Sequence, residues 1–141
     1  KAVLYYPNAL QFIAGQKTVD EYQAFFDIKT IRNPLIASFI TQHTDPTDKI
    51  FIWGNSPQIY AMAQRLPATN YFVDYHSLES KATLKKTQQD LTKAKPKYII
   101  TLDDATPLPF ALSGYIMRFS IPSFTRVSQS IPGATIYERS L

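Results

Sequence analysis

The sequence predicts an α/β fold: a small three-layer, Rossmann-like domain with a short, mainly parallel sheet. A continuous apolar run at residues 50–53, and a run at residues 98–101 that is apolar up to its final threonine, have the composition of strands that are buried on both faces. Segments with helical patterns, at residues 56–66 and 79–94, lie between these two runs. Strands and helices in this order form right-handed crossovers, which place helices on the faces of a parallel sheet.

Helical signals dominate the start of the chain. Pro7 and Gly15 flank an apolar segment, and this pair is typical of the first turn and the C-terminal cap of a helix. Thr18 and Glu21 form a T-x-x-E capping box, which predicts a second helix. A third helix is predicted to begin at Pro34.

The chain is predicted to be one domain with two parts. Its 141 residues, 45% of them hydrophobic, suffice for one ordinary core. Residues 1–44 form a helical lead-in, and residues 45–141 form the α/β core. In the core, Ser56 is predicted to cap a helix that turns Tyr60 and Leu66 inward.

Shorter patterns complete the predicted core. Residues 71–73 are predicted to form a short strand, and residues 110–115 a helix. A C-terminal β hairpin is predicted from residues 124–128 and 134–139, with a turn at Pro132–Gly133 that closes the sheet edge.

Composition excludes several classes of site. Without cysteine, the chain has no disulfide, no thiolate metal site and no cysteine nucleophile. Its net charge of +4 comes from basic residues that are dispersed along the chain. This distribution indicates a solvated basic surface or contact with anionic lipid head groups, and it does not indicate binding to nucleic acid. Apolar stretches are shorter than the roughly 18 residues that span a bilayer. Because no signal-peptide pattern follows Lys1, we expect an excised or processed boundary there.

The first candidate site follows the first predicted strand. Trp53, Gly54, Asn55 and Ser56 stand between a strand and a helix, where open α/β sheets bind ligands, and Tyr60 lies one turn further on. Free backbone amides at this junction could bind an anion. This junction has one glycine, whereas a dinucleotide-binding fingerprint requires three. Ordinary helix capping and packing can therefore explain the same residues.

The second candidate site follows the predicted strand at residues 98–101. Asp103 and Asp104 could converge on the same crevice as a carboxylate pair, which would act as acid and base or hold a hard cation. Aspartates at strand ends are also common turn formers. The sequence therefore indicates no catalytic residue, no metal site and no cofactor.

Aromatic residues are concentrated near the start of the chain. Phe25 and Phe26 are predicted to lie in the core. Tyr5 and Tyr6 are predicted to lie at a membrane interface, where tyrosine is favoured.

Four segments, taken in order, carry a family resemblance: FIAGQKTVDEY (12–22), DKIFIWGNSPQIY (48–60), RLPATNY (65–71) and KPKYII (95–100). They resemble the C-terminal region of bacterial GT-C membrane glycosyltransferases, near dolichyl-phosphate-mannose protein mannosyltransferases and lipid A aminoarabinose transferases.

The resemblance implies a noncatalytic accessory domain on the extracytoplasmic face of the plasma membrane, in an enzyme that transfers sugar from a polyprenyl-phosphate donor. Its catalytic residues would lie in loops that this sequence does not contain. The implied partners are the membrane domain of the same polypeptide, anionic lipid head groups, and a polyprenyl-phosphate-linked sugar or its acceptor. The alternative is a free-standing α/β domain that binds a nucleotide or phosphorylated ligand at residues 54–56.

Overall fold

Three helices open the chain in the computed structural model, which describes residues 5–26, 29–126 and 129–140. They are α1 (Tyr5–Ile13), α2 (Val19–Ala24) and α3 (Lys29–His43). Gly15 follows α1 with a φ of +70°, the left-handed conformation that glycine adopts without strain. The capping box of Thr18 and Glu21 is present at the start of α2. The start of the chain is thus mainly helical, and its division from the rest as a lead-in stays a prediction.

The predicted start of α3 is wrong. The helix begins at Lys29, and Pro34 lies inside it. The turn before Pro34 is held by tertiary packing, because Ile31 and Arg32 are buried. Packing of this kind overrides the preference of proline for a helix start.

In the part of the chain that the structure describes, six strands form two sheets: β1 (Ile50–Trp53), β2 (Tyr98–Leu102), β3 (Tyr115–Ile121), β4 (Phe124–Arg126), β5 (Gln129–Ile131) and β6 (Ala134–Arg139). The larger sheet has the order β1-β2-β6-β3, and β4 pairs with β5 in the smaller one. Within the described residues, only the β1–β2 pairing is parallel, whereas β6 is antiparallel to both of its neighbours. The fold is thus mixed α/β, and the prediction of a mainly parallel sheet is wrong, because only β1 and β2 are joined through helices.

Helices cover both faces of the larger sheet. They include α4 (Gln58–Ala63), α5 (Asp74–Leu78) and α6 (Lys81–Ala94). On one face, α3 and α4 pack on alternate residues of β1 and β2 through side chains such as Ile36 and Ile59. On the other face, Leu91 of α6 packs with Phe51 and Ile99. The predicted strands at Ile50 and Tyr98 and the helix that ends at Ala94 are confirmed.

The predicted strand at residues 71–73 is absent. Residues 66–68 run beside β1 instead, where the Ile50 N–H donates to the Leu66 carbonyl at 3.1 Å and the Ala68 N–H donates to the Ile50 carbonyl at 2.8 Å. Pro67 forms an isolated bridge there and has no N–H with which to extend a ladder. Leu66 is 68% exposed, so its predicted inward position is also wrong.

Residues 110–114 form a loop and Tyr115 begins β3, so the helix predicted at residues 110–115 is wrong. Pro107 and Pro109 cannot donate backbone hydrogen bonds at its start, and Gly114 has a φ of +80° at its end. The Phe110 ring packs edge-on against Trp53 with 5.9 Å between centroids. This contact fixes the loop on the sheet face that α6 also covers.

The C-terminal strand is confirmed, but its predicted hairpin is wrong. Ala134–Arg139 lies between β2 and β3 instead of closing the edge. Phe124 pairs with Ile131, and both pack against Ile31 of α3, so these residues form the separate small sheet. Residues 127 and 128, the end of the predicted first hairpin strand, lie outside the described residues.

None of the helices within the described ranges is both long enough and apolar enough to cross a membrane.

Candidate functional site

The two predicted site segments follow β1 and β2, which are parallel neighbours. Trp53 pairs in register with Thr101, so the turn at residues 54–56 and the pair Asp103–Asp104 leave the sheet at the same edge. This edge is where open α/β sheets place ligand sites. The side chains that meet there include one that the sequence did not indicate, Arg32.

Arg32 is fully buried behind this edge. Its Nη1 lies 2.6 Å from Asp104 Oδ1, and its Nη2 donates to Ser56 Oγ at 3.1 Å. Nη1 also lies 3.5 Å from the carbonyl oxygens of Pro132 and Gly133. A buried guanidinium remains charged and needs such partners, so Arg32 ties α3 to three separate connections of the sheet.

Asp104 is held by two cations. Lys29 Nζ lies 3.1 Å from Asp104 Oδ2, while Arg32 binds the other oxygen. Burial raises the pKa of the Asp104 carboxyl, but hydrogen bonds and charge from Arg32 and Lys29 outweigh burial, so the pKa lies below its ordinary value. We call Lys29, Arg32, Ser56 and Asp104 the Arg32 cluster. It is an anion site that the chain fills with its own carboxylate.

The two aspartates have different roles in the structure. Asp103 is exposed and donates its backbone N–H to the Gly133 carbonyl at 3.1 Å. Asp104 gives both carboxylate oxygens to Arg32 and Lys29. The structure thus brings Asp104 into the Arg32 cluster and leaves Asp103 as a connection to the segment before β6. In the described part of the chain, no three acidic or histidine side chains are grouped to hold a metal ion.

The turn at residues 54–56 is shaped by close packing. Gly54 has a φ of +141°, and a Cβ on it would lie 2.8 Å from Leu102 Cδ1. Ser56 is fully buried and accepts from Arg32, so its predicted capping role is wrong. Instead, α4 is preceded by Pro57 and has no side-chain cap. The Ser56 hydroxyl is therefore engaged with a side chain of the protein itself.

Two of the remaining predicted site residues, Tyr60 and Trp53, lie on opposite faces of the sheet. Tyr60 is buried with α3 and α4, and its hydroxyl accepts from the Ile52 N–H at 2.8 Å. Burial raises the pKa of Tyr60 well above its ordinary value. Trp53 lies on the α6 face, where its Nε1 donates to the Thr106 carbonyl at 2.6 Å. Asn55 is exposed, and its carbonyl lies 3.5 Å from Lys29 Nζ.

Arg32 and Lys29 were missed because sequence reasoning followed only the strand ends. A signal appears only when the helix is extended back past its predicted start at Pro34: Arg32 then precedes Ile36 by four residues, which places a cation on the apolar face of the helix. Such a residue must be buried with a partner or face a ligand.

Two further surface features stand apart from the Arg32 cluster. One is an exposed stripe of large apolar side chains on α1, formed by Tyr6, Leu10 and Ile13 and called the α1 stripe below. The other is a cavity of about 450 Å³ between the C-terminal half of α6 and the loop before β3, called the α6 cavity.

The comparisons with known proteins give one match. A family model described as "Putative competence-induced protein Ccs4 C-terminal domain" matches residues 32–117, more than half of the 141 residues. The match begins at Arg32 and runs into β3. No curated protein and no solved structure matches the chain significantly.

This match overturns the resemblance stated from the sequence. The assignment to GT-C membrane glycosyltransferases, and with it the description as mannosyltransferase-like, is wrong, because the matching family is a different one. The quoted segment at residues 48–60 includes a strand-turn-helix junction, and junctions of this kind recur in many α/β folds. The chain belongs to the family of the Ccs4 C-terminal domain.

Proposed function

We propose that this chain is a noncatalytic accessory domain that packs through its N-terminal helices onto another part of a larger polypeptide. The α1 stripe is the observation that carries the proposal. Tyr6, Leu10 and Ile13 are 78%, 65% and 79% exposed. Their spacing of four and three residues places all three on one face of the helix.

The composition of α1 supports the proposal that this face is covered by another part of the polypeptide. None of the nine residues of Tyr5–Ile13 is charged. Val19, at the start of α2, is 54% exposed, and Phe25 and Phe26, which the sequence placed in the core, are 37% and 51% exposed. Single exposed apolar residues are ordinary, but contiguous groups of this size mark interaction surfaces. The side chain of Tyr5, the other predicted interface residue, is outside the described part of the structure.

The Arg32 cluster supports a noncatalytic role. The Ser56 hydroxyl is hydrogen-bonded to Arg32, and both carboxylate oxygens of Asp104 are paired with Arg32 and Lys29. A catalytic acid or base must instead reach a substrate proton. The same engagement weighs against the alternative of a phosphorylated ligand at residues 54–56, because the Asp104 carboxylate already takes the position of an anion.

The family description supports the choice of partner. It names a C-terminal domain, so in that family the domain follows another region of the same polypeptide. Within the proposal, that region covers the α1 stripe. We also propose that the parallel β1–β2 pair, with helices on both faces, is a reduced Rossmann-like unit. The extracytoplasmic location was implied by the resemblance that the family match overturned, and it stays an untested prediction.

Two observations favour a second possible binding partner for the α1 stripe, anionic lipid head groups. The net charge is +4, and the exposed Tyr6 belongs to the residue type that prefers membrane interfaces. The stripe would then lie in the headgroup layer as an interfacial helix does.

Hydrogen exchange tests the proposal. The amides of α1 are expected to exchange more slowly in the complete natural polypeptide than in residues 1–141 alone, and Leu10→Ser/Ile13→Ser is expected to remove this protection. Leu66→Ser, at a position that is 68% exposed elsewhere on the surface, is the matched control. Equal exchange of α1 in both contexts would refute the proposal. Sedimentation with vesicles of phosphatidylglycerol and phosphatidylcholine tests the lipid occupant, and loss of binding in the double variant would favour it.

A further inference from the structure

We propose that the α6 cavity binds a small amphipathic anion, a compact apolar body that carries one carboxylate, sulfonate or phosphate group. The inference is independent of the α1 stripe. It rests on the volume of the cavity, its apolar interior and the sign of the charge at its rim.

The cavity has the dimensions of a small-molecule site. Its volume of about 450 Å³ falls within the roughly 300–1,000 Å³ of known ligand pockets. Leu91 and Ile99 form its buried floor, and Phe110, Leu112 and Tyr115 line the wall opposite α6. Such walls favour an apolar ligand body, because water leaves apolar surface on both sides.

The wall opposite α6 is fixed by hydrogen bonds. Tyr115 Oη donates to the Pro96 carbonyl at 2.7 Å, and the Ser140 N–H donates to the Gly114 carbonyl at 2.9 Å. The packing of Phe110 on the buried Trp53 ring holds the start of the loop. A preformed wall lowers the entropy that is lost when a ligand binds.

The rim of the cavity is cationic. Lys95 and Arg139 line it, and none of the lining residues is acidic. Arg139 Nη1 donates to the Lys95 carbonyl, which holds the guanidinium at the end of α6. The C-terminus of a helix carries about half a negative charge, and this is less than the charge of the two cations. The rim therefore favours an anion over a neutral or cationic group.

Anilinonaphthalene sulfonate, an aromatic anion whose fluorescence rises in apolar surroundings, is a suitable probe. Its neutral analogue phenylnaphthylamine has similar aromatic rings and lacks the sulfonate. We expect one anion to bind per chain, with an affinity at least about tenfold above that of the analogue, because hydrogen bonds to charged groups contribute this much.

Two variants locate the binding. Arg139→Gln is expected to weaken binding of the sulfonate about tenfold and to leave the analogue unaffected. Ala111→Trp adds bulk at an exposed position that lines the cavity, and it is expected to weaken both probes. Far-ultraviolet circular dichroism establishes that each variant is folded.

Two controls keep the result specific. Arg118→Gln removes the same charge from β3, at a side chain that is 64% exposed and does not line the cavity, and it is expected to leave binding unchanged. Leu10→Ser/Ile13→Ser tests for binding at the α1 stripe and is also expected to have no effect. The inference is overturned if the sulfonate does not bind, if both probes bind equally, or if folded Arg139→Gln and Ala111→Trp bind it as the wild type does.

Discussion

Arg32 and Asp104 are 72 residues apart in the chain, and their side chains meet at 2.6 Å. The guanidinium is fully buried, whereas 21% of the carboxylate side chain is exposed. The pair therefore joins α3, in the helical lead-in, to the segment that follows β2. Because a buried charge without a partner is costly, the pair should dominate the stability of this edge.

Removing the charge of Asp104 tests this relationship. Asp104→Asn leaves Arg32 buried without its anion, and we expect the free energy of unfolding to fall by about 2 kcal/mol. Asp103→Asn makes the same chemical change at the exposed neighbour and should cost within about 0.5 kcal/mol. Urea unfolding of both variants measures the difference. Equal losses would show that Arg32 does not depend on Asp104.

The same pair predicts a pH dependence. The pKa of Asp104 is lowered in the folded state, so below neutrality the unfolded chain binds this proton more readily. The stability that Asp104 contributes is therefore complete above the unfolded pKa of about 3.9 and is lost as pH falls through the lower folded pKa. We expect the difference between wild type and Asp104→Asn to be constant from about pH 6 to 8 and to shrink below about pH 4. A difference that persists unchanged at acidic pH would contradict this prediction.

Sequence reasoning found those elements that have local signals. The capping box at Thr18 and the apolar runs at Ile50 and Tyr98 each carry their own physical cause. The position of β6 between β2 and β3 has no such signal, since strand order depends on contacts between distant residues. The loop at residues 66–68 is a similar case, because its place beside β1 follows from the end of α4.

The candidate site was predictable only in part. The positions of Gly54 and Asp104 at strand ends indicated which edge of the sheet to inspect. The partner that determines their roles, Arg32, lies on a helix before both strands, and the chain alone does not give its distance from either. The α6 cavity was not predictable at all, because its walls come from α6, β2, the loop before β3 and the end of β6.

Alanine substitutions at Gly54 and Gly114, which both have a positive φ, distinguish backbone strain from steric crowding. Alanine at Gly54 would adopt a φ of +141° and press on the Cβ, Cγ and Cδ1 atoms of Leu102, all within 3.0 Å, so we expect a loss of about 3 kcal/mol. Gly114 has a φ of +80° with nothing within 4 Å of an added Cβ, and Gly114→Ala should cost about 1 kcal/mol. Thermal unfolding compares the two variants. A Gly54→Ala variant as stable as Gly114→Ala would mean that Leu102 yields without cost.

The hydroxyl of Tyr60 should stabilise the core by receiving a backbone hydrogen bond. Tyr60→Phe leaves the buried Ile52 N–H without its acceptor at the β1 edge of the sheet, and we expect the free energy of unfolding to fall by about 2 kcal/mol. Tyr98 is also buried, but its Oη donates at 3.1 Å to Glu138 Oε1, a carboxylate that is 29% exposed, so Tyr98→Phe should cost only about 0.5 kcal/mol. Denaturant unfolding gives both values.

Because burial raises the pKa of Tyr60, its ionisation should be absent from the alkaline absorbance titration at pH values that ionise exposed tyrosines. An unchanged titration curve in Tyr60→Phe below about pH 11 would agree with this, whereas the loss of one ionising group there would show that Tyr60 is accessible to solvent.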